Sequence, residues 1–348
     1  MNYDYIRPEL VAMLPVYRMC EDCFRGSEAV KRTHNYSLSG SHGNGGGVGY
    51  GFSPYLPDPS PTSENDTVRA KRYEQYLQRA VFYNVTRRTV TAMVGAVFAR
   101  YPTFDLTGIE YLENDVSGSG ISLAQQAKDA MTEVMLKGRV GLLADMPVNQ
   151  EGVSKADMMV KGIRPAIKIY KAESIINWRT CQIGAHACLS LVVLSESYIK
   201  EDDGFKPEYG EQLLILRLND DGYAESEIVR KADNSGWVSQ GVNPITDNNG
   251  KQLDYIPFFF AGGDNNDADV DEVPIYDIAH LNIAHFVNAA DMEESLHISG
   301  QPTLVISGLT QEWVDSNLTD GVSIGARSGL LLPQGGNAQL LQSSMNSA

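Results

Sequence analysis

The stretch GGDNNDADVDEVPIYDIAHLNIAH, Gly262–His285, gathers the residue types that hold cations, and it ends in two histidines. A calcium loop of the EF-hand kind needs oxygen ligands at positions 1, 3 and 5, a turn glycine at 6 and a bidentate glutamate at 12. A frame opened at Asp264 puts Ala268 at position 5 and Asp269 at position 6. A frame opened at Asp267 puts Glu272 at position 6 and Ile278 at position 12, so both frames fail. His280 and His285 are five apart, about 140° around a helix, whereas a zincin motif places its histidines four apart on one face. Asp277 and His280 do share a face, and with the upstream acids they define one chemical alternative, a metal-assisted hydrolase. The other reading is a polar turn whose last acids, Asp271 and Glu272, cap a helix opened by Pro274.

Other motifs meet similar tests. Cys20 and Cys23 form a CxxC, and Cys181 and Cys188 flank His186. A structural zinc usually takes two tight pairs, but the second pair here is seven apart and the first lies in a helical pattern. Two small apolar thiols on a half-buried helix face is the simpler expectation. Gly321-Val-Ser-Ile-Gly325 matches the nucleophile elbow, which needs a helix after it and a histidine later in the chain. No helical pattern follows, and the last histidine is His297. The glycine-rich GNGGGVGYG has neither GxGxxG in register nor GK[ST], so it reads as a flexible insertion. The chain is expected not to be an enzyme and to need no cofactor.

The totals are those of a folded protein. Of 348 residues, 43% are hydrophobic and 21% charged, enough for two domains or one large one. The net charge of −16 opposes tight binding to nucleic-acid phosphates, which rewards Lys and Arg. No signal peptide or membrane span is legible, and four cysteines suit a reducing compartment, so a cytoplasmic site of assembly is expected.

Along the chain, Leu10, Leu14, Tyr17, Cys20 and Phe24 recur at helical spacing over 9–33. A Gly/Ser/Pro-rich loop follows over 37–66. Helical spacing returns over 67–100, with Pro102 just past its end. Ser122 to Gln125 has the spacing of a capping box, and Gly138 should stop the helix that follows. Between Gly141 and Gly262, runs such as AIKIYKA, LSLVVLSE, EQLLILRL and IPFFFAG alternate with turn clusters, which predicts strands. Pro274–Ser299 predicts a helix of about 38 Å. Short strands are expected again over Thr303–Gly308 and Gly329–Leu332.

Four segments together resemble the portal proteins of tailed bacteriophages, and within them a group of prophage portals catalogued as a domain of unknown function. They are QRAVFYNVTRRTVTAMVGAVFARYP from Gln78, VMLKGRVGLLADMP from Val134, YKAESIINWRT from Tyr170, and Gly262–Gly308. The resemblance implies an α+β subunit. Residues 1–262 would be an α/β wing, 263–299 a linker and first stem helix, and 300–348 a small α/β clip. The family's returning stem helix and tunnel loop are expected to lie outside this chain, so no pore-loop residue is assigned.

The resemblance also implies function. Such proteins form rings, usually dodecamers, at one capsid vertex of the virion, assembled in the bacterial host cytoplasm. Double-stranded DNA is packaged and ejected through the channel without tight binding. Expected partners are further copies of the chain, the terminase large subunit, the major capsid and scaffolding proteins and the head–tail adaptor, with no membrane. Along the stem helix, Asp277, Asn282, Asn288, Asp291 and Glu294 are candidates to face the channel or the subunit seam. Ile275, Ile278, Ala279, Phe286, Ala289 and Leu296 are candidates for helix packing. In the clip, Trp313 is a candidate docking anchor for a partner, or else a clip core residue.

Overall fold

A computed structural model describes residues 3–32, 52–59, 66–100, 102–145, 164–232, 236–247, 250–300, 303–313, 332 and 334–341. Most of the loop over 37–66, the serine motif at Gly321–Gly325, and all of the strand expected over Gly329–Leu332 except Leu332 lie outside these residues. The chain is α+β and divides into two compact units, with the division falling inside its longest helix.

The first unit comprises 1–30 and 83–283. Helix α1, Pro8–Arg25, opens on Pro8, whose missing N–H costs nothing in the first turn. Leu10, Tyr17, Cys20 and Cys23 form its buried face. The helical pattern expected over 9–33 breaks at Gly26, where φ is 101°, and a short helix α2, Ser27–Val30, follows. Helices α4, Val85–Val97, and α5, Leu123–Lys137, belong to the same unit. The α5 ends are as predicted. The Ser122 hydroxyl accepts from the Gln125 N–H, and Gly138 stops the helix at φ 77°.

Among the described residues, two antiparallel sheets complete this unit. Strands β1, Arg139–Asp145, β2, Ala166–Lys171, and β8, Phe258–Gly262, pair in the order β2-β1-β8. Strands β3, Ile175–Ile183, β4, His186–Asp202, β5, Pro207–Leu218, β6, Ala224–Ala232, and β7, Gly236–Pro244, form a five-stranded meander. The three-stranded sheet buries Val140, Leu143, Phe258 and Phe260, and the meander buries Trp178, Val192, Leu194, Leu216 and Val229.

The meander has an uneven outline. Strand β3 pairs with β4 only as far as Leu194, and β6 pairs with β5 only from Gln212 onward. Yet β4 and β5 remain paired out to Asp202 and Pro207. Residues 195–211 are therefore a two-stranded arm running past both flanking strands.

The second unit comprises 31–82 and 284–348. It holds helix α3, Asp66–Arg79, the later turns of helix α6, Tyr276–Gly300, and the pair β9, Thr303–Ser307, with β10, Asn337–Leu341. Its core centres on Tyr73, Tyr76 and Ala80 of the α3 region, with Phe286 and Ala290 of α6 buried as well. The Phe82 ring meets Phe286 edge-on at 5.7 Å. The stretch expected as one helix over 67–100 is thus two, α3 and α4, parted by non-helical residues at 80–84. These units also cut the chain differently from the expected wing, stem and clip, since 31–82 groups with the C-terminal part.

Candidate functional site

The acidic linker leading to α6 folds on itself. Asn265 accepts from the Asp267 N–H and Asp267 from the Asp269 N–H, each at 2.8 Å, closing successive side-chain turns. Asp271 is buried and accepts from the Asp264 N–H at 3.3 Å. The expectation that Asp271 caps the helix is corrected here: α6 starts at Tyr276, and the Asp271 carboxylate closes the linker instead. Gly262 is required for this, because a Cβ there would lie 2.0 Å from Asp271 Oδ2. Asp277 is the acid in the first turn.

Arg139 holds the linker from the β1 side. It is fully buried, donates Nη1–H to the Ala268 carbonyl at 3.0 Å, and stacks over Trp178 at 4.0 Å and Phe260 at 5.0 Å. Burial pulls its pKa down to about 10, although Tyr17 and Asp271 favour the charged form. Arg139 belongs to no local sequence motif, because its partners lie far away along the chain.

Helix α6 carries most of the predicted site residues. Asp277 and Asn288 are exposed. Asn282, expected at the channel or seam, is instead 4% exposed. Its Oδ1 accepts from the Val85 N–H at 3.1 Å, the Thr86 N–H at 3.2 Å and the Thr86 hydroxyl at 3.1 Å. Its Nδ2 donates to the Tyr83 carbonyl at 2.9 Å. The physical reason is that the first N–H groups of α4 lack helical partners, and Asn282 supplies an acceptor for them.

Asp291 and Glu294 also have partners within the second unit. Asp291 accepts from the Tyr76 hydroxyl at 2.6 Å, and Glu294 pairs with Arg79. Burial first, and then Asp291, raises the Tyr76 pKa. Reversing charge at these two acids would break α3 contacts before it tested any channel.

Of the packing candidates, Ile275, Ala279 and Phe286 are fully buried, while Ile278 and Ala289 are half-buried. Leu296 is exposed on the single chain. Its position on α6 turns it from the face that carries Phe286 and Ala290. Trp313 is half-buried in a short helical turn, its N–H bonded to the Thr310 carbonyl.

Asp277 and His280 are both exposed, and among the described residues no group of three or more His, Cys, Asp or Glu is placed to hold a metal ion. Cys20 and Cys23 are buried on α1, and burial pushes each thiol up to about 12. Cys181 and Cys188 face each other across β3 and β4 at 3.1 Å, partly exposed. In the native protein, an aromatic disulfide reagent should therefore titrate Cys181 and Cys188 within minutes. Cys20 and Cys23 should react only in denaturant, because thiolate fraction and access control the rate. Four fast thiols in the native protein would contradict the buried α1 face. No described helix is long and apolar enough to cross a membrane.

No curated protein matches the chain. Among solved structures, it is similar to a chain in the virion of a native gene transfer agent (GTA) particle, at 12% identity and a TM-score of 0.35, covering 78% of this chain and 61% of that one. A chain in the neck of an empty GTA particle, computed with C6 symmetry, is similar at 12% identity and a TM-score of 0.35, covering 78% and 62%. The chain thus spans about three fifths of the length of the solved chains it matches. Residues 274–348, from the entry to α6 onward, match the family model described as Domain of unknown function (DUF4055).

Proposed function

We propose that the chain is a self-assembling structural subunit of a tailed-phage head, of the portal type, forming a ring through which double-stranded DNA passes. The observation that carries this reading is the outer face of α6. Asp277, Leu281, Asn288 and Met292 follow one another at spacings of four, seven and four, so they lie along one side of the helix. Leu281 is 70% exposed and Met292 62% exposed. Two large apolar side chains on an exposed helix stripe favour a neighbouring helix, and the polar members suit a seam or a wet channel. The net charge of −16 supports a conduit, since acidic walls keep phosphate affinity low. The order of the elements, a β-rich part, a closed acidic linker, a long helix and a short strand pair, supports the same reading. In it, the terminase, capsid and adaptor proteins are the partners, and the role is structural rather than catalytic.

Light scattering and negative-stain imaging test it. Twelve copies of a 38.1 kDa chain would give a closed particle of about 457 kDa with a central hole at least about 20 Å wide. Leu281→Gln with Met292→Gln should shift that particle toward monomer while leaving circular dichroism unchanged. A wild-type chain that stays monomeric at every concentration would refute self-assembly.

A further inference from the structure

We propose that the β4–β5 arm of one copy docks into a basic groove on the second unit of a neighbouring copy. This rests on the self-assembly reading and adds to it the contact that joins successive subunits. A two-stranded ribbon is marginal in water unless something packs on it, and the arm over 195–211 lacks both flanking strands. At about 3.3 Å per residue it reaches roughly 25 Å past β3. It also presents apolar surface to solvent. Phe205 at its tip is 98% exposed, and Tyr209, paired across from Ile199, is 65% exposed.

The tip is built to hold Phe205 outward. The Asp203 carboxylate accepts from the Lys206 N–H at 2.6 Å and the Phe205 N–H at 2.8 Å, and Asp202 accepts from the Gly204 N–H at 2.8 Å. Gly204 takes φ 86°, which closes the turn. The arm over 195–211 carries six acids, Glu196, Glu201, Asp202, Asp203, Glu208 and Glu211, against two lysines, Lys200 and Lys206.

The second unit offers the complement. An open groove of about 410 Å³ runs along α3 and the end of α6, lined by Lys71, Arg72, Gln75, His297 and Ile298. Arg79 in its wall is already paired with Glu294. Lys71 and Arg72 are exposed and have no carboxylate partner among the described residues. Ile298, 59% exposed, supplies an apolar floor for a ring. In a chain this acidic overall, an unpaired basic groove fits an acidic knob with an aromatic tip, and the arm is such a knob on every copy. The contact is heterologous, arm to groove, and repeats from copy to copy, the kind of contact that builds a ring when its rotation closes.

The test uses the full chain. Glu201→Lys with Glu208→Lys reverses the arm, Lys71→Glu with Arg72→Glu reverses the groove, and Phe205→Ala removes the tip. By sedimentation velocity, each variant should self-associate at least tenfold more weakly than wild type. Mixing the reversed arm with the reversed groove should restore hetero-association, since each then meets opposite charge. Wild-type assembly with all three variants assembling normally would overturn the arm contact and leave self-assembly standing. A wild type that never associates would overturn both. Circular dichroism of each variant separates lost docking from lost folding, and all five mutated side chains are exposed.

Discussion

Lys137→Met will cost the first unit about 3 kcal/mol, at the lower end of what breaking a buried ion pair usually costs. Lys137 is 1% exposed at the C-terminal end of α5, where its Nζ lies 2.5 Å from Glu173, 3.2 Å from Glu133 and 3.3 Å from Glu21. Burial alone would lower the Lys137 pKa, but Glu133, Glu173 and Glu21 together raise it above its ordinary 10.5. That contribution is complete below pH 10.5 and is lost as pH rises through the folded value. Glu21 moves the other way. Burial would raise it, but Lys137, Lys171 and Arg25 hold it below its ordinary 4.5. Its contribution is therefore present above pH 4.5 and lost on acidification.

Removing the ammonium leaves a half-buried carboxylate facing its neighbours, with burial as the leading influence. The deficit of Lys137→Met should then be largest near neutral pH and shrink on acidification, as protonation relieves the Glu21 carboxylate left without the ammonium. Urea unfolding followed by circular dichroism at pH 7 and pH 4 reads both effects. An equal deficit at the two pH values would point to lost packing of the lysine stem rather than to the charge cluster.

The parts of the fold that were legible are those governed by neighbours in sequence. Ser122 and Gly138 mark the ends of α5 because capping is a matter of three or four residues. The strands between Gly141 and Gly262 show in their alternation and turn clusters. What was not legible depends on partners far along the chain. Asp271 looks like a capping acid until Gly262 and the Asp264 N–H are brought to it. The arm over 195–211 is invisible locally, because β4 and β5 read as ordinary strands and only the registers of β3 and β6 show where the sheet stops. On α6, a polar residue within a mostly apolar helix is as consistent with a seam as with a core bond. Asp277 and Asn288 face solvent, while Asn282 does not, and periodicity carries no sign of which neighbour needs an acceptor.

Asn282 therefore gives a test of that distinction. Asn282→Leu keeps the side-chain bulk but removes the acceptor from three donors, the Val85 and Thr86 N–H groups and the Thr86 hydroxyl. Thr86 is fully buried, so water cannot easily replace what is lost. An unsatisfied buried donor costs about 1–3 kcal/mol, and with two of the three at Thr86 the expected loss is about 3 kcal/mol. Asn282→Asp keeps the acceptor and places negative charge at the α4 N-terminus, which the helix dipole favours, but it loses the bond to the Tyr83 carbonyl. It should fall between wild type and Asn282→Leu. Hydrogen exchange adds a local readout, because the Thr86 amide should lose protection in Asn282→Leu before the strands of the meander do, while the Val85 N–H keeps its bond to the Tyr83 carbonyl at 2.9 Å. The Asn84 side chain, which accepts from the Arg87 N–H at 2.7 Å, should keep that amide protected in all variants. Near-wild-type stability for Asn282→Leu would mean that α4 needs no acceptor from α6.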